Sequence, residues 1–194
     1  MRKQKHLIII GHPDKKSFCY NGIYKTVLRE VRKHKQEYKV IDLYEDKLHR
    51  DRKGLIKEYQ QMVTWSTHMY FISPVWWFRM VPKMETFFDE VFTPGFAYKF
   101  VPLFGFYAYP KPFLKDKKVR TYITHGAPML PVVTLYINSV KLGLVMGVYT
   151  FVFGWNLNRW RKTKQFWSVP FVDKHKRRKY LAVVKRDIRR DLGY

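Results

Sequence analysis

The chain is 194 residues long, 46% of them hydrophobic, with 10 glycines, 10 prolines and a single cysteine. This composition excludes a disordered chain, a fibrous chain and a disulfide framework, and the length suits one domain, 1–194, with its own core. Lysine and arginine number 38 against 15 acidic residues, a formal net charge of +23. So large an excess makes nucleic acid, an anionic membrane surface and an acidic protein the partner classes to weigh.

Two features bear on the compartment. The N-terminal segment has four apolar residues before Gly11, too few for the core of a signal peptide, and one cysteine favours a reducing environment. The segment 142–157 is uncharged, but it is shorter than the roughly 18–20 apolar residues that span a bilayer. We therefore expect a cytoplasmic protein, with peripheral contact at the inner face of the membrane left open, and a buried helix in the uncharged segment.

Strand-like and helix-like patterns alternate along the chain. Short apolar runs predict strands, and apolar stripes at helical spacing predict helices, with Asp173 capping the last one. In chain order we predict a strand at 6–10, a helix at 18–34, a strand at 39–43, a helix at 53–65, a strand at 69–73, a helix at 81–92, a strand at 119–124, a helix from the uncharged segment, a strand at 165–169 and a helix at 173–192. This alternation predicts an α/β fold in which helices cover both faces of a parallel sheet. Ligands of such folds bind beyond the carboxyl ends of the strands, which directs attention to three loops.

The first loop, GHPDKKSF at 11–18, joins a strand to the start of a helix. A helix N-terminus offers unpaired N–H groups to a phosphate, and Ser17, His12 and the neighbouring lysines can add to such a site. The spacing matches neither a Walker loop nor GxGxxG. The competing interpretation is that Ser17 caps the helix and the basic turn is simply solvated.

The second loop, SPVWWFRM at 73–80, carries three consecutive aromatic residues at the end of a strand. They cannot all face one core, so a planar ligand is one explanation. An aromatic hinge in the core or at a subunit interface is the other.

The third loop, THGAP at 124–128, follows the fourth strand. Its small residues would let a ligand approach the backbone closely.

These motifs carry a resemblance to a known family. GHPDKKSF, then PVWWFRMVPKMETFFDEVFTPGFAY, then THGA, in this order and spacing, resemble the flavodoxin-like NAD(P)H:quinone oxidoreductases. That family includes azoreductase-like members and the ancillary flavoproteins of potassium efflux systems. The resemblance implies a three-layer sandwich with a five-stranded parallel sheet of order 2-1-3-4-5. It also implies bound FMN, with FAD as the alternative.

The resemblance implies positions for the cofactor. The phosphate and ribityl chain would lie near the first loop, the isoalloxazine ring against the second, and its other edge against the third. The implied cofactor-binding residues are His12, Ser17, Phe18, Cys19, Pro74, Val75, Trp76, Trp77, Phe78, Thr124, His125, Gly126 and Ala127. Phe96 and Tyr98 would line the substrate pocket from a following loop, across a dimer interface.

Two residues of these loops have alternative roles. A protonated His125 could stabilise negative charge on the reduced flavin, or it could be an ordinary loop histidine with its hydrogen bonds satisfied. Cys19 could be an activated thiolate near a helix N-terminus, although an inert apolar role suits its sequence context better. The sequence names no catalytic acid, and its cysteine and histidines have no metal-ligand spacing.

The implied activity is hydride transfer from NAD(P)H through flavin N5 to a quinone or similar small-molecule acceptor, in a ping-pong sequence. The alternative is a flavodoxin-fold binding or regulatory module that docks through its basic surface on a membrane complex or an acidic partner. The basic run at 174–179 is expected to be a solvated helix face, with an anionic membrane or acidic partner next and nucleic acid last. Because the segment 94–112 is aromatic and nearly uncharged, we also expect a homodimer with a composite active site.

Overall fold

The computed structural model describes residues 4–46 and 51–194, so the first three residues of the basic N-terminal segment lie outside the described part. The strands are β1 (Lys5–Ile10), β2 (Glu37–Asp42), β3 (His68–Trp76), β4 (Arg79–Met80), β5 (Tyr98–Phe104), β6 (Tyr107–Pro112), β7 (Lys118–Thr124) and β8 (Thr163–Phe166). The α-helices are α1 (Lys25–Lys33), α2 (Arg52–Trp65), α3 (Pro82–Val91), α4 (Met129–Val133), α5 (Ser139–Leu142), α6 (Tyr149–Phe153), α7 (Asn158–Lys162) and α8 (Lys174–Leu192). Two π-helical segments, Phe18–Tyr24 and Gly143–Val148, lead into α1 and α6.

The central sheet confirms the predicted fold. Five parallel strands follow the order β2-β1-β3-β7-β8, which is 2-1-3-4-5 when the parallel strands alone are numbered. The short β4 pairs antiparallel with the end of β3. All five parallel strands run the same way, so their carboxyl ends share one edge of the sheet and their amino ends share the other.

The core lies on both faces of this sheet. Successive residues of β1 point to opposite faces, so Leu7 and Ile9 join one hydrophobic cluster and Ile8 and Ile10 join the other. All four side chains are completely buried. Burying an aliphatic side chain of this size stabilises the fold by about 1.5–3 kcal/mol, and this explains why the first strand is an unbroken apolar run.

The uncharged segment forms a helix, as predicted, but the helix begins earlier, at Ser139, and has a π-helical middle. It forms α5, a π-helical segment and α6, and the helix ends at Gly154, whose φ of 83° lies in the left-handed region. It is buried on one face only: Leu144 and Val152 pack into the core, whereas Leu142, Trp155 and Leu157 are exposed. Within 4–46 and 51–194, no helix combines the length and apolar character that crossing a bilayer demands.

No strand or helix is predicted for the segment 94–112, but much of it is an antiparallel hairpin of β5 and β6. Prolines hid this hairpin from sequence analysis: Pro102 and Pro110 lie inside the strands, where proline usually argues against strand structure. Among residues 4–46 and 51–194, β5 and β6 pair only with each other, so each has a free edge where a missing N–H group is tolerated.

Candidate functional site

The three loops meet at one cleft, of about 410 Å³, at the carboxyl edge of the sheet. Ten of the thirteen implied cofactor-binding residues line it: His12, Ser17, Phe18, Cys19, Pro74, Val75, Trp76, Thr124, His125 and Gly126. Lys16, Val169, Pro170 and Arg177 complete the lining. The structure does not place Trp77, Phe78 or Ala127 in this lining, nor Phe96 or Tyr98.

The first loop presents the start of a long helical segment to the cleft. The Ser17 hydroxyl accepts a hydrogen bond from the Tyr20 amide at 3.1 Å, which confirms Ser17 as the N-cap. Asp14 accepts bonds from the amides of Lys16 and Ser17 and so fixes the turn. The amides of Phe18 and Cys19 belong to the first turn, whose N–H groups have no acceptor within the helix. The cap and the phosphate-site interpretations are therefore compatible at this loop.

His12 is held as a neutral hydrogen-bond donor. Its Nδ1 accepts the Asp14 amide at 3.0 Å, so the ring proton lies on Nε2. Burial lowers the pKa of His12 below its usual value, which keeps the ring neutral at pH 7. The ring lies edge-on to Trp76, with centroids 6.0 Å apart.

Arg177 is a cleft residue that sequence analysis missed. Its Nη2 donates to the Val169 carbonyl at 3.0 Å, and its guanidinium lies 5.9 Å from the Phe18 ring centre. Its Nε is buried and has no hydrogen-bond partner among the described residues. One feature of the sequence could have singled out Arg177: it lies one helical turn after the predicted cap Asp173. It also belongs to the basic run at 174–179, however, and that whole run was predicted to be a solvated helix face.

Cys19 is buried beneath the first loop. Burial raises the pKa of its thiol to about 12, against a weaker opposing effect of a hydrogen bond with Thr124. The side chain is therefore a protonated thiol at pH 7, in agreement with the inert role and not with a reactive thiolate.

The second loop is a tight hairpin between β3 and β4. Its two connecting residues, Trp77 and Phe78, have φ values of 51° and 56°, a backbone that usually takes Asn or Gly. Each costs on the order of 1–3 kcal/mol, and such strain is typical of ligand and partner sites. The turn directs Trp77 into solvent with 90% of its surface exposed, and Phe78 stacks on Tyr136 at 4.0 Å. Of the three consecutive aromatics, Trp76 alone lines the cleft.

The third loop holds His125 from several sides. Its amide donates to Phe166, its carbonyl accepts from Val169, and its ring stacks on Trp167 at 4.3 Å. The ring Nε2 lies 3.0 Å from the Gln165 side-chain nitrogen. Paired hydrogen bonds with Asn138 set the orientation of that amide, so Gln165 donates and Nε2 of His125 accepts.

The His125 ring is therefore neutral. Burial lowers its pKa to about 4, which does not favour a protonated His125 in the protein without flavin. The hydrogen bond that Nε2 accepts from Gln165 agrees with the alternative, a loop histidine held by its neighbours. Its remaining proton lies on Nδ1.

The two residues implied for a substrate pocket lie elsewhere in the chain. Phe96 packs against the core, and Tyr98 contacts Phe151 edge-on at 5.9 Å beside a separate surface cleft. Neither residue lines the cleft at the carboxyl edge of the sheet. In the part of the chain that the structure describes, no group of three His, Cys, Asp or Glu is placed to hold a metal ion.

Comparisons with known proteins agree with this fold. The model of a family described by its flavodoxin-like fold matches residues 4–132. A Bacillus subtilis (strain 168) protein named uncharacterized NAD(P)H oxidoreductase YdeQ is 32% identical over 99 residues, which are 50% of this chain and 47% of the relative. The chain thus matches about half the length of that curated relative.

Solved structures extend the likeness to nearly the whole chain. An NAD(P)H:quinone oxidoreductase from Methanothermobacter marburgensis superposes with a TM-score of 0.71 at 18% identity, over 99% of this chain and 98% of that one. An FMN-dependent NADH-azoreductase from Bacillus anthracis, solved in complex with FMN, gives 0.76 at 14% identity, over 96% and 98%. These similarities show the shared fold. Because the family model covers well over half of the residues, the chain belongs to this flavodoxin-like family.

Proposed function

We propose that the protein is an FMN-dependent NAD(P)H oxidoreductase that reduces quinones or similar small-molecule acceptors. The observation that carries the proposal is the meeting of the three loops at one cleft, where Arg177 lies beside the helix start at Phe18. A phosphate there would receive hydrogen bonds from an arginine and from first-turn amides together. The resemblance of the three loops and the names of the similar proteins point to the same activity.

We favour FMN over FAD as the flavin that this cleft would bind. FMN ends in a phosphate monoester, which needs no room for the second phosphate and the adenosine of FAD. Arg177, the neutral donor His12 and the amide of Phe18 offer hydrogen bonds suited to such a group. Trp76 offers an aromatic edge to the flavin ring.

When bound, FMN would supply hydride acceptance from NAD(P)H and two-electron transfer to the acceptor. The residues of the chain would bind and orient it. The buried side chains of Cys19, Thr124 and His125 keep water from the floor of the cleft. Donor and acceptor would use the same opening in turn, as a ping-pong sequence requires, and the positive charge of the surface would attract the anionic dinucleotide.

A charge reversal at Arg177 tests the phosphate contact. Arg177→Glu should weaken FMN binding by about tenfold to a hundredfold, because it removes a charge-assisted hydrogen bond and adds a like charge. The measurement is quenching of flavin fluorescence on titration with the apoprotein. Arg178→Glu, which makes the same change on the exposed side of α8, is the control. Equal affinities in the two variants would contradict the proposal.

We also propose that a second copy completes the active site with its hairpin β5–β6. The tip of the hairpin exposes Leu103, Phe104 and Tyr107 over most of their surfaces, and Phe106 completely. An apolar patch of this kind marks a partner site, and Phe96 and Tyr98 lie at the base of the same hairpin. Light scattering at micromolar concentration should report a dimer, and Phe104→Ser with Phe106→Ser should give a monomer with lower quinone reductase activity. A native monomer with full activity would refute the composite site.

A further inference from the structure

The amino edge of the sheet, opposite the flavin cleft, carries a basic cleft of about 620 Å³. Two basic segments, KDKK at 115–118 and RKTK at 161–164, lie at the starts of β7 and β8. Because these strands are neighbours and parallel, the two segments meet at one edge. The cleft thus gathers cations that are far apart in the sequence.

Several of these cations have no internal partner. Lys117 donates to two main-chain carbonyls and Arg120 pairs with Asp191, so both serve the fold. Over 4–46 and 51–194, no carboxylate lies within ion-pair distance of five other lining cations: Lys115, Lys118, Arg161, Lys164 and Arg190. Like charges crowded into one concave surface favour the binding of anions.

An apolar groove of about 280 Å³ adjoins the basic cleft. Leu142, Met146, Trp155, Leu157 and Trp160 are among its lining residues. Trp155 is 60% exposed and Leu157 is 69% exposed. Asn156 and Arg159 line both depressions, so the groove and the cleft form one surface with an apolar half and a basic half.

The fold holds the exposed apolar side chains outward. The buried Arg159 guanidinium donates to the carbonyls of Phe153 and Gly154, where α6 ends. The amide of Asn158 donates to the Asn156 side chain at 2.9 Å, which fixes the turn between Trp155 and α7. Trp155 and Leu157 are therefore presented by a defined turn.

We propose that this face docks on an anionic lipid bilayer. Trp155 and Leu157 would enter the boundary between headgroups and acyl chains, where tryptophan is favoured, and the cations of 115–118 and 161–164 would lie against lipid phosphates. An anionic bilayer surface offers apolar acyl chains next to charged headgroups, and the apolar and basic halves of this face complement the two. A nucleic acid would leave the apolar half in water. The docking does not depend on flavin binding or on the proposed activity.

Sedimentation with vesicles tests the proposal. The native protein should bind vesicles containing phosphatidylglycerol, release from them as salt rises, and bind weakly to vesicles of phosphatidylcholine alone. Trp155→Ser with Leu157→Ser should lower binding at least about tenfold, and so should Lys115→Glu with Lys118→Glu and Lys164→Glu. Circular dichroism establishes that each variant is folded.

The matched control is Lys174→Glu with Arg178→Glu and Lys179→Glu, an equal charge change on exposed positions of α8. Retained binding in the control and loss in both test variants support docking through this face. An equal loss in the control would show a general charge effect and overturn the proposal, as would unchanged binding in either test variant. Binding of a monomeric short-chain anionic lipid, an acidic peptide or an oligonucleotide without vesicle binding would overturn it too.

Discussion

The two edges of one sheet differ in their chemistry. At the carboxyl edge most of the groups that line the cleft are neutral, two histidines and a thiol among them, and Lys16 and Arg177 are its cations. At the amino edge cations crowd a cleft next to an apolar groove. The residues that precede the parallel strands thus form a different surface from the residues that follow them. The net charge of +23 for the whole chain does not show how charge is divided between these two edges.

Helix α8 connects the two edges. Arg177, near its start, lines the carboxyl-edge cleft, whereas Asp187 and Asp191, near its end, pair with Arg120 beneath the amino edge. Substitutions at the amino edge test this contrast through the stability of the protein, and substitutions at the carboxyl edge test it through FMN binding.

The largest effect on stability is expected at Arg120. Its guanidinium makes two bonds with Asp191, at 2.5 and 2.8 Å, and lies 3.1 Å from Asp187. Arg120→Ala leaves Asp187 without its partner and Asp191 with only Lys162, at 3.9 Å, so the free energy of unfolding should fall by about 3–5 kcal/mol. Urea denaturation measures it, with the exposed Arg161→Ala as the control. A loss below about 1 kcal/mol would show that the ion pairs do not stabilise the amino edge.

Acid should destabilise the amino edge through His6. Burial lowers the pKa of His6 to about 4, the charge of the stacked His68 adding to the effect, against 6.5 in the unfolded chain. The unfolded chain therefore binds more protons, and stability present at neutral pH is lost as pH falls from about 6.5 towards 4. Over this pH range, the free energy of unfolding of His6→Gln should fall by less than that of the native chain, the difference being on the order of 2 kcal/mol.

Urea denaturation at several pH values follows this change. His175→Gln, on the exposed surface of α8, should leave the pH profile as it is. If His6→Gln gave the same profile as the native chain, His6 would not be the group that titrates.

At the carboxyl edge, the two tryptophans of the second loop should differ. Trp76→Ala removes the ring that lines the cleft and should weaken FMN binding about threefold to tenfold, the effect of one aromatic contact. Trp77→Ala removes a ring that lies in solvent and should change FMN affinity little in the monomer. Fluorescence titration compares them, and a larger loss in Trp77→Ala would place the flavin ring outside the observed cleft.

The smallest effect is expected at Asp173, which caps the helix common to both edges. Its carboxylate accepts the Lys176 amide at 2.7 Å, so Asp173→Ala should lower the free energy of unfolding by about 1 kcal/mol. Thermal or urea unfolding measures it against the neighbouring Lys174→Ala. Equal stability of the two variants would contradict the cap.

Sequence analysis succeeded where local pattern decides structure. The apolar strands, the helix cap at Asp173 and the meeting of three loops follow from periodicity and from the geometry of parallel sheets. It failed where the backbone departs from local preference: prolines hid β5 and β6, and positive φ values turned Trp77 and Phe78 away from the cleft. Arg177 could not be told from its basic neighbours, because only packing of α8 on the first loop distinguishes it.

The central claim is that the carboxyl-edge cleft binds the phosphate of FMN. Calorimetric titration with FMN and with riboflavin, which lacks only that phosphate, measures this most directly. We expect one FMN per chain, bound at least about tenfold more tightly than riboflavin, with the preference lost in Arg177→Glu. Equal affinity for the two flavins, or binding of neither, would contradict the claim and favour a flavodoxin-fold module that acts through its basic surface.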